Sequence, residues 1–93
     1  MKVRELLSDE SKWTQNAWGR DATGRPVLWA PKTAVCWCLI GAIETCYPRP
    51  GEATPIDNKV RDAIGGGLMI SKWNDAPERT FAEVKALVER LDV

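Results

Sequence analysis

Two stretches of the chain carry side chains able to recognise a ligand. In the first, Trp37, Gly41 and Glu44 fall within about 60° of one another if the stretch is helical. A Gly there lets a backbone or a ligand come close. The Trp can stack a flat group, and the Glu can accept a donor. The second stretch is Trp73-Asn74-Asp75-Ala76-Pro77-Glu78-Arg79-Thr80. If Trp73, Asn74, Asp75 and Arg79 face the same cleft as Glu44, they can orient a polar ligand. A structural reading stands beside this one. Gly41 then permits close helix packing, Glu44 pairs with an Arg such as Arg79, and Asn74 and Asp75 act as turn and cap acceptors.

Other chemistry is excluded by what the sequence lacks. The 93 residues contain no His. That removes Ser-His and Cys-His nucleophilic catalysis and most zinc sites. The three Cys, at 36, 38 and 46, cannot complete a tetrahedral site alone. No metal is expected. Gly65-Gly66-Gly67 lacks the Lys-Ser/Thr that follows a phosphate-binding loop and reads as a helix stop. No cofactor motif is present, so none is expected. Lys plus Arg and Asp plus Glu both number 13, giving zero net charge. Broad electrostatic binding of nucleic acid is therefore disfavoured. Two carboxylates, Glu44 and Asp75, could still act as acid and base if their environments separated their pKa values. Nothing in the sequence brings them together.

The elements that would position these residues follow from hydropathy patterning. Residues 2–11 read as a short helix with Val3, Leu6 and Leu7 on one stripe. Asp21-Ala22-Thr23-Gly24 reads as a tight turn. Its flanks form a small hairpin or extended segment within 13–29, with Pro26 on an edge because it lacks an N–H. Residues 33–47, between Pro31 and Pro48, are apolar in almost every helical direction, Val35 included. They predict a central helix wrapped by its neighbours. Thr54-Pro55 reads as the start of a third helix, with Thr54 as N-cap and Ile56, Val60, Ala63 and Ile64 facing inward. After the glycines, Leu68-Met69-Ile70 leads into a loop at 73–77. Thr80-Phe81-Ala82-Glu83 matches a capping box opening a last helix with Phe81, Val84, Leu87, Val88 and Leu91 on one arc.

The expected architecture is α+β and mainly helical. About four helices surround a central buried helix at 33–47, and the small β element lies at 13–29. Residues 1–93 form one domain, since domains rarely fall below about 50 residues. Five Trp, at 13, 18, 29, 37 and 73, are many for this length. They either fill the core and its rim or form a surface binding patch, with Trp18 and Trp29 as the exposed members.

Four motifs occur in order: Trp13-Thr14-Gln15, Arg20-Asp21-Ala22-Thr23-Gly24-Arg25-Pro26-Val27, Ala34 to Ile43, and Trp73-Asn74-Asp75 followed by Arg79-Thr80 and Glu83-Val84. The set resembles a family of small bacterial and phage proteins of unknown function. The resemblance covers nearly the whole chain. It implies that Trp37, Cys38, Gly41, Trp73, Asn74, Asp75, Arg79 and Thr80 belong to one structural or binding unit.

The composition points to a binder rather than a catalyst. The expected function is non-catalytic docking on another protein, for example by a phage or mobile-element regulator or a defence inhibitor. The alternative is a small nucleotide-like ligand held by Trp37, Glu44, Trp73, Asp75 and Arg79. A homodimer is compatible with a Trp patch. No secretory leader is expected from Met1-Lys2-Val3-Arg4-Glu5, and the longest apolar run, Ala34 to Ile43, is too short for the roughly 20 residues that span a bilayer. An odd number of Cys fits a reduced, cytoplasmic protein.

Overall fold

The computed structural model describes residues 1–27 and 32–93. Its elements run α1 (Val3–Leu6), a single 3₁₀ turn (Glu10–Lys12), β1 (Gly19–Arg20), β2 (Pro26–Val27), β3 (Cys36–Trp37), α2 (Leu39–Cys46), α3 (Ala53–Ile64), α4 (Ile70–Asp75) and α5 (Phe81–Leu91). The fold is α+β and mainly helical.

The three short strands form one antiparallel sheet in the order β2-β1-β3. The 21–24 turn is built as its residues suggest. Asp21 Oδ1 accepts from the Thr23 amide, the Thr23 hydroxyl and the Arg25 amide, and the Gly24 amide closes on the Asp21 carbonyl. Pro26 sits in the edge strand, where a missing N–H costs nothing.

The central helix is shorter than its hydropathy implies. Residues 36 and 37 form a strand, and the helix covers only Leu39–Cys46. An apolar run of this length suits a buried strand as well as a buried helix. Val35-Cys36-Trp37 has the β-branched and aromatic character that a strand favours. β3 pairs with Gly19 and Arg20, and Val35 is 46% exposed rather than in the core. Cys38 then caps α2, its thiol accepting from the Gly41 amide at 3.3 Å.

Three further boundaries depart from the sequence reading. The first helix covers only Val3–Leu6, and the 3₁₀ turn at Glu10–Lys12 replaces its second half. Glu52, not Thr54, is the N-cap of α3. Pro55 is tolerated in the first turn because amides there have no helical acceptor. Residues 73–75 are the end of a helix, α4, rather than a loop. Met69 caps α4 without a side-chain bond, so the helix carries no start signal.

Other elements follow their patterns. Thr80 and Glu83 form the reciprocal capping box, and Val84, Leu87 and Val88 are the buried face of α5. Gly65 ends α3 at φ 70°, and Gly66 and Gly67 share a positive φ. Val3 and Leu7, Leu39, Ala42 and Ile43, Val60, Ile70 and the α5 face meet in one core with Val93. The ends of the described fold are tied together. The Arg4 amide donates to the Val93 carbonyl, and Lys2 and Arg4 pair with Asp92 at 2.7 and 2.8 Å. Lys59 of α3 caps α5 by donating to the Leu91 carbonyl at 2.6 Å. Among the described residues no helix is long and apolar enough to cross a membrane.

Candidate functional site

Asn74 is the hub from which the polar architecture is built. It is fully buried near the end of α4. Its Oδ1 accepts from the Trp13 indole N–H at 2.7 Å and from the Leu39 amide at 3.0 Å. Its Nδ2 donates to the Thr14 carbonyl at 3.1 Å and to Asp75 Oδ1 at 2.9 Å. Two donors face the oxygen and two acceptors face the nitrogen, which fixes the amide orientation. Leu39 is the first residue of α2, so its amide is one of the orphan donors that every helix start must satisfy. Asn74 satisfies it from a different helix.

The neighbouring segment is laced to the same place. Gln15 Nε2 donates to the Asn74 and Ala76 carbonyls, at 2.8 and 2.9 Å. The Asn16 amide donates to Asp75 Oδ1 at 2.9 Å, with Asn16 in the left-handed region at φ 62°. Asn tolerates that conformation better than most residues. Arg20 reaches back from β1 to Thr14 Oγ1 and to the Gln15 and Gly24 carbonyls. Trp13-Thr14-Gln15 and Trp73-Asn74-Asp75 are thus two halves of one hydrogen-bonded knot. Arg20 ties the hairpin into it.

This knot sets where Trp18 lies. The Trp18 carbonyl accepts from the Cys38 amide at 3.1 Å. It also rests so close to Gly41 that a Cβ there would collide with the carbonyl oxygen. Gly41 therefore serves close approach of backbone to helix, as the structural reading of it holds.

The sequence-selected residues occupy three settings. Trp37, Gly41 and Asn74 are buried. Trp73 and Arg79 line a cavity of about 440 Å³ between α3 and α5, together with Ala63, Ile64, Glu83, Ala86, Leu87 and Arg90. Asp75 and Glu44 line two adjoining cavities of about 340 and 350 Å³ that share Trp18, Ile40 and Ser71. Trp37, Gly41 and Glu44 do not form one helical stripe, because Trp37 is in β3 and Gly41 is in α2. Arg79 pairs with Glu83 at 2.6 Å and not with Glu44. Its guanidinium lies 4.0 Å from the Trp73 ring centroid. Trp18 is half-buried, and Trp29 lies outside the described residues.

The two adjoining cavities form one groove with a mixed wall. Trp18, Ile40 and Met69 supply apolar surface, and Met69 is 58% exposed. Asp75 Oδ2 and both Glu44 oxygens have no partner among the described residues, and Arg61 lines the Glu44 end without an ion pair. Sequence reasoning singled out Asp75 and Glu44 but missed Ile40, Arg61, Met69 and Ser71. The available signal was the apolar run Leu68-Met69-Ile70 behind three glycines.

Neither the Cys38 nor the Cys46 thiol is activated. Burial pushes the Cys38 thiol up, and burial pushes Cys46 up to about 11. All three Cys are free. Among the described residues no group of three or more potential metal ligands comes together.

No curated protein and no solved structure matches the sequence. The family of unknown function DUF6197 matches residues 1–91, and the chain belongs to that family.

Proposed function

We propose that this chain is a non-catalytic binding protein that docks on a protein partner through the Trp18–Glu44–Asp75 groove. The observation that carries the reading is the groove's composition. An indole, an isoleucine and an exposed methionine lie between two carboxylates with unused oxygens. Trp dominates the energetics of protein interfaces, and Met adapts to varied partner surfaces. Charge complementarity selects the occupant: a partner segment presenting a large apolar side chain next to a Lys or Arg. Arg61 at the Glu44 end disfavours an extended run of cations. A small regulator of the kind a phage or mobile element uses to block a host protein would act through such a face. The free thiols fit a reducing, cytoplasmic setting.

A display selection of random peptides on the immobilised protein tests this reading. Enrichment of sequences that pair Lys or Arg with Leu, Ile or Phe is expected. Glu44→Gln and Met69→Ser should each weaken the selected peptides about tenfold, corresponding to roughly 1.4 kcal/mol. No enrichment, or enrichment that ignores both substitutions, contradicts it.

A further inference from the structure

We infer that the cleft between α3 and α5 is a separate site for a small aromatic phosphate monoester of nucleoside-monophosphate size. Its cavity of about 440 Å³ falls within the range of small-ligand pockets, roughly 300–1,000 Å³. The argument starts from Arg79, whose side chain is only 16% exposed. The guanidinium stacks on Trp73, donates Nε–H to the Trp73 carbonyl at 2.9 Å, and donates from Nη1 to Glu83 Oε2 at 2.6 Å. Those bonds use two of its five N–H donors. The other three have no acceptor among the described residues, and Arg79 lines the cleft. A half-buried guanidinium whose remaining donors open onto the cleft is placed to donate to an acceptor-rich guest.

Arg90 supplies a second guanidinium. It stands two helical turns beyond Glu83, lines the same cleft, and has no ion-pair partner among the described residues. Glu83 offsets one of the two positive charges, so Arg79, Glu83 and Arg90 together stay net positive. One Glu83 oxygen accepts from the Thr80 amide and hydroxyl, and the other accepts from Arg79. The two guanidinium groups match the three terminal oxygens of a phosphate monoester better than the two oxygens of one carboxylate. Ala63 and the exposed Ala86 line the cleft with small apolar side chains, leaving room for a flat ring near Trp73. This site is independent of the docking groove and shares no lining residue with it.

The test is an NMR titration of the ¹⁵N-labelled protein with AMP, adenosine and inorganic phosphate at low salt. AMP should shift the Arg79 Nε–H signal and the Ala63 and Ala86 amides saturably. It should bind about tenfold more tightly than either fragment, since each fragment supplies only the apolar ring contact or the charged contact. Arg90→Gln should weaken AMP roughly fivefold to tenfold. Ala86→Leu should abolish the shifts by filling the space for the ring, while the rest of the spectrum stays that of the folded protein. Equal binding of AMP and inorganic phosphate would mark a mere surface anion site and overturn the inference. So would AMP shifts that survive Ala86→Leu, or no saturable shift at all.

Discussion

Trp13 and Asn74, separated by 61 positions, are joined by a 2.7 Å hydrogen bond from the indole N–H to the side-chain carbonyl. The same Asn74 oxygen accepts the first amide of α2. One buried amide side chain therefore holds the N-terminal segment, the central helix and α4 in register. The groove adjoins this knot, with Asp75 common to both.

Removing the hub should be costly. Asn74→Ala leaves the buried Leu39 amide and the Trp13 indole N–H without acceptors. Each orphaned donor costs about 1–3 kcal/mol, so a total loss of roughly 3–5 kcal/mol is expected in urea unfolding. Gln15→Ala removes two bonds from a half-buried side chain and should cost about 1–2 kcal/mol. Equal effects of the two substitutions would place the hub elsewhere.

The buried Trp37 and the half-buried Trp13 should respond oppositely to loss of their N–H. Trp37 Nε1 is buried and has no hydrogen-bond partner among the described residues. Trp37→Phe removes an unsatisfied donor and should be neutral or stabilising by up to about 1 kcal/mol. Trp13→Phe removes the bond to Asn74 and should destabilise by about 1–2 kcal/mol. Thermal unfolding of the two single variants checks the sign.

Gly41 should tolerate no side chain. Gly41→Ala drives a methyl group into the Trp18 carbonyl and threatens the bond from the Cys38 amide to that carbonyl. Backbone cannot yield as a flexible side chain can, and a loss of about 3 kcal/mol is expected. Gly51→Ala meets open space at φ 82°, so it should cost only the left-handed penalty of about 1–2 kcal/mol. Denaturant midpoints of both variants separate the two effects.

Acid should destabilise the fold through identifiable carboxylates. Glu83 is held below its usual range chiefly by the Thr80 amide and by Arg79. Asp92 is lowered by Lys2 and Arg4, Asp9 by Ser11, and Asp21 by Thr23. Depressed groups add stability above their unfolded values, and this is lost as the pH falls through their folded values. Stability should therefore drop below about pH 4. Asp57 runs the other way. Burial raises its carboxyl, with Arg61 only partly opposing, and Oδ1 has no partner among the described residues. The native state protonates this group first on acidification, so its cost is felt at neutral pH and fades as the pH falls. Asp57→Asn should be more stable than the parent at pH 7, with the gap closing toward pH 4. A gap that widens in acid would contradict the assignment.

Much of the fold was legible because local chemistry and packing agreed. Asp21 to Gly24 has the residues of a turn and makes one, and Pro26 takes the edge that its missing N–H demands. Thr80 and Glu83 cap α5, whose apolar arc is buried as its spacing implies. Two of the failures, at 36–37 and 73–75, share one cause, tertiary contacts that leave no local mark. Cys36 and Trp37 lie in a run equally suited to helix or strand, and pairing with Gly19 and Arg20 decides it. Residues 73–75 lack a capping signal at their start, and the bonds from Asn74 and Asp75 to residues 13–16 hold that region in place. Asn74 looked like a turn acceptor because its partners in Leu39, Thr14 and Trp13 lie 35, 60 and 61 positions away. Arg79, Glu44 and Asp75 were found as polar residues, but their division between two grooves depends on helix packing.

The most direct test of the docking account is a charge swap. Random-peptide selections are run in parallel on the parent protein and on Glu44→Lys. The parent should enrich peptides in which a Lys or Arg neighbours a large apolar residue. Glu44→Lys, which leaves Trp18, Ile40 and Met69 in place, should keep the apolar residue and shift its neighbour to Asp or Glu. If both proteins select the same peptides, or neither selects any, the groove is not where this chain meets a partner.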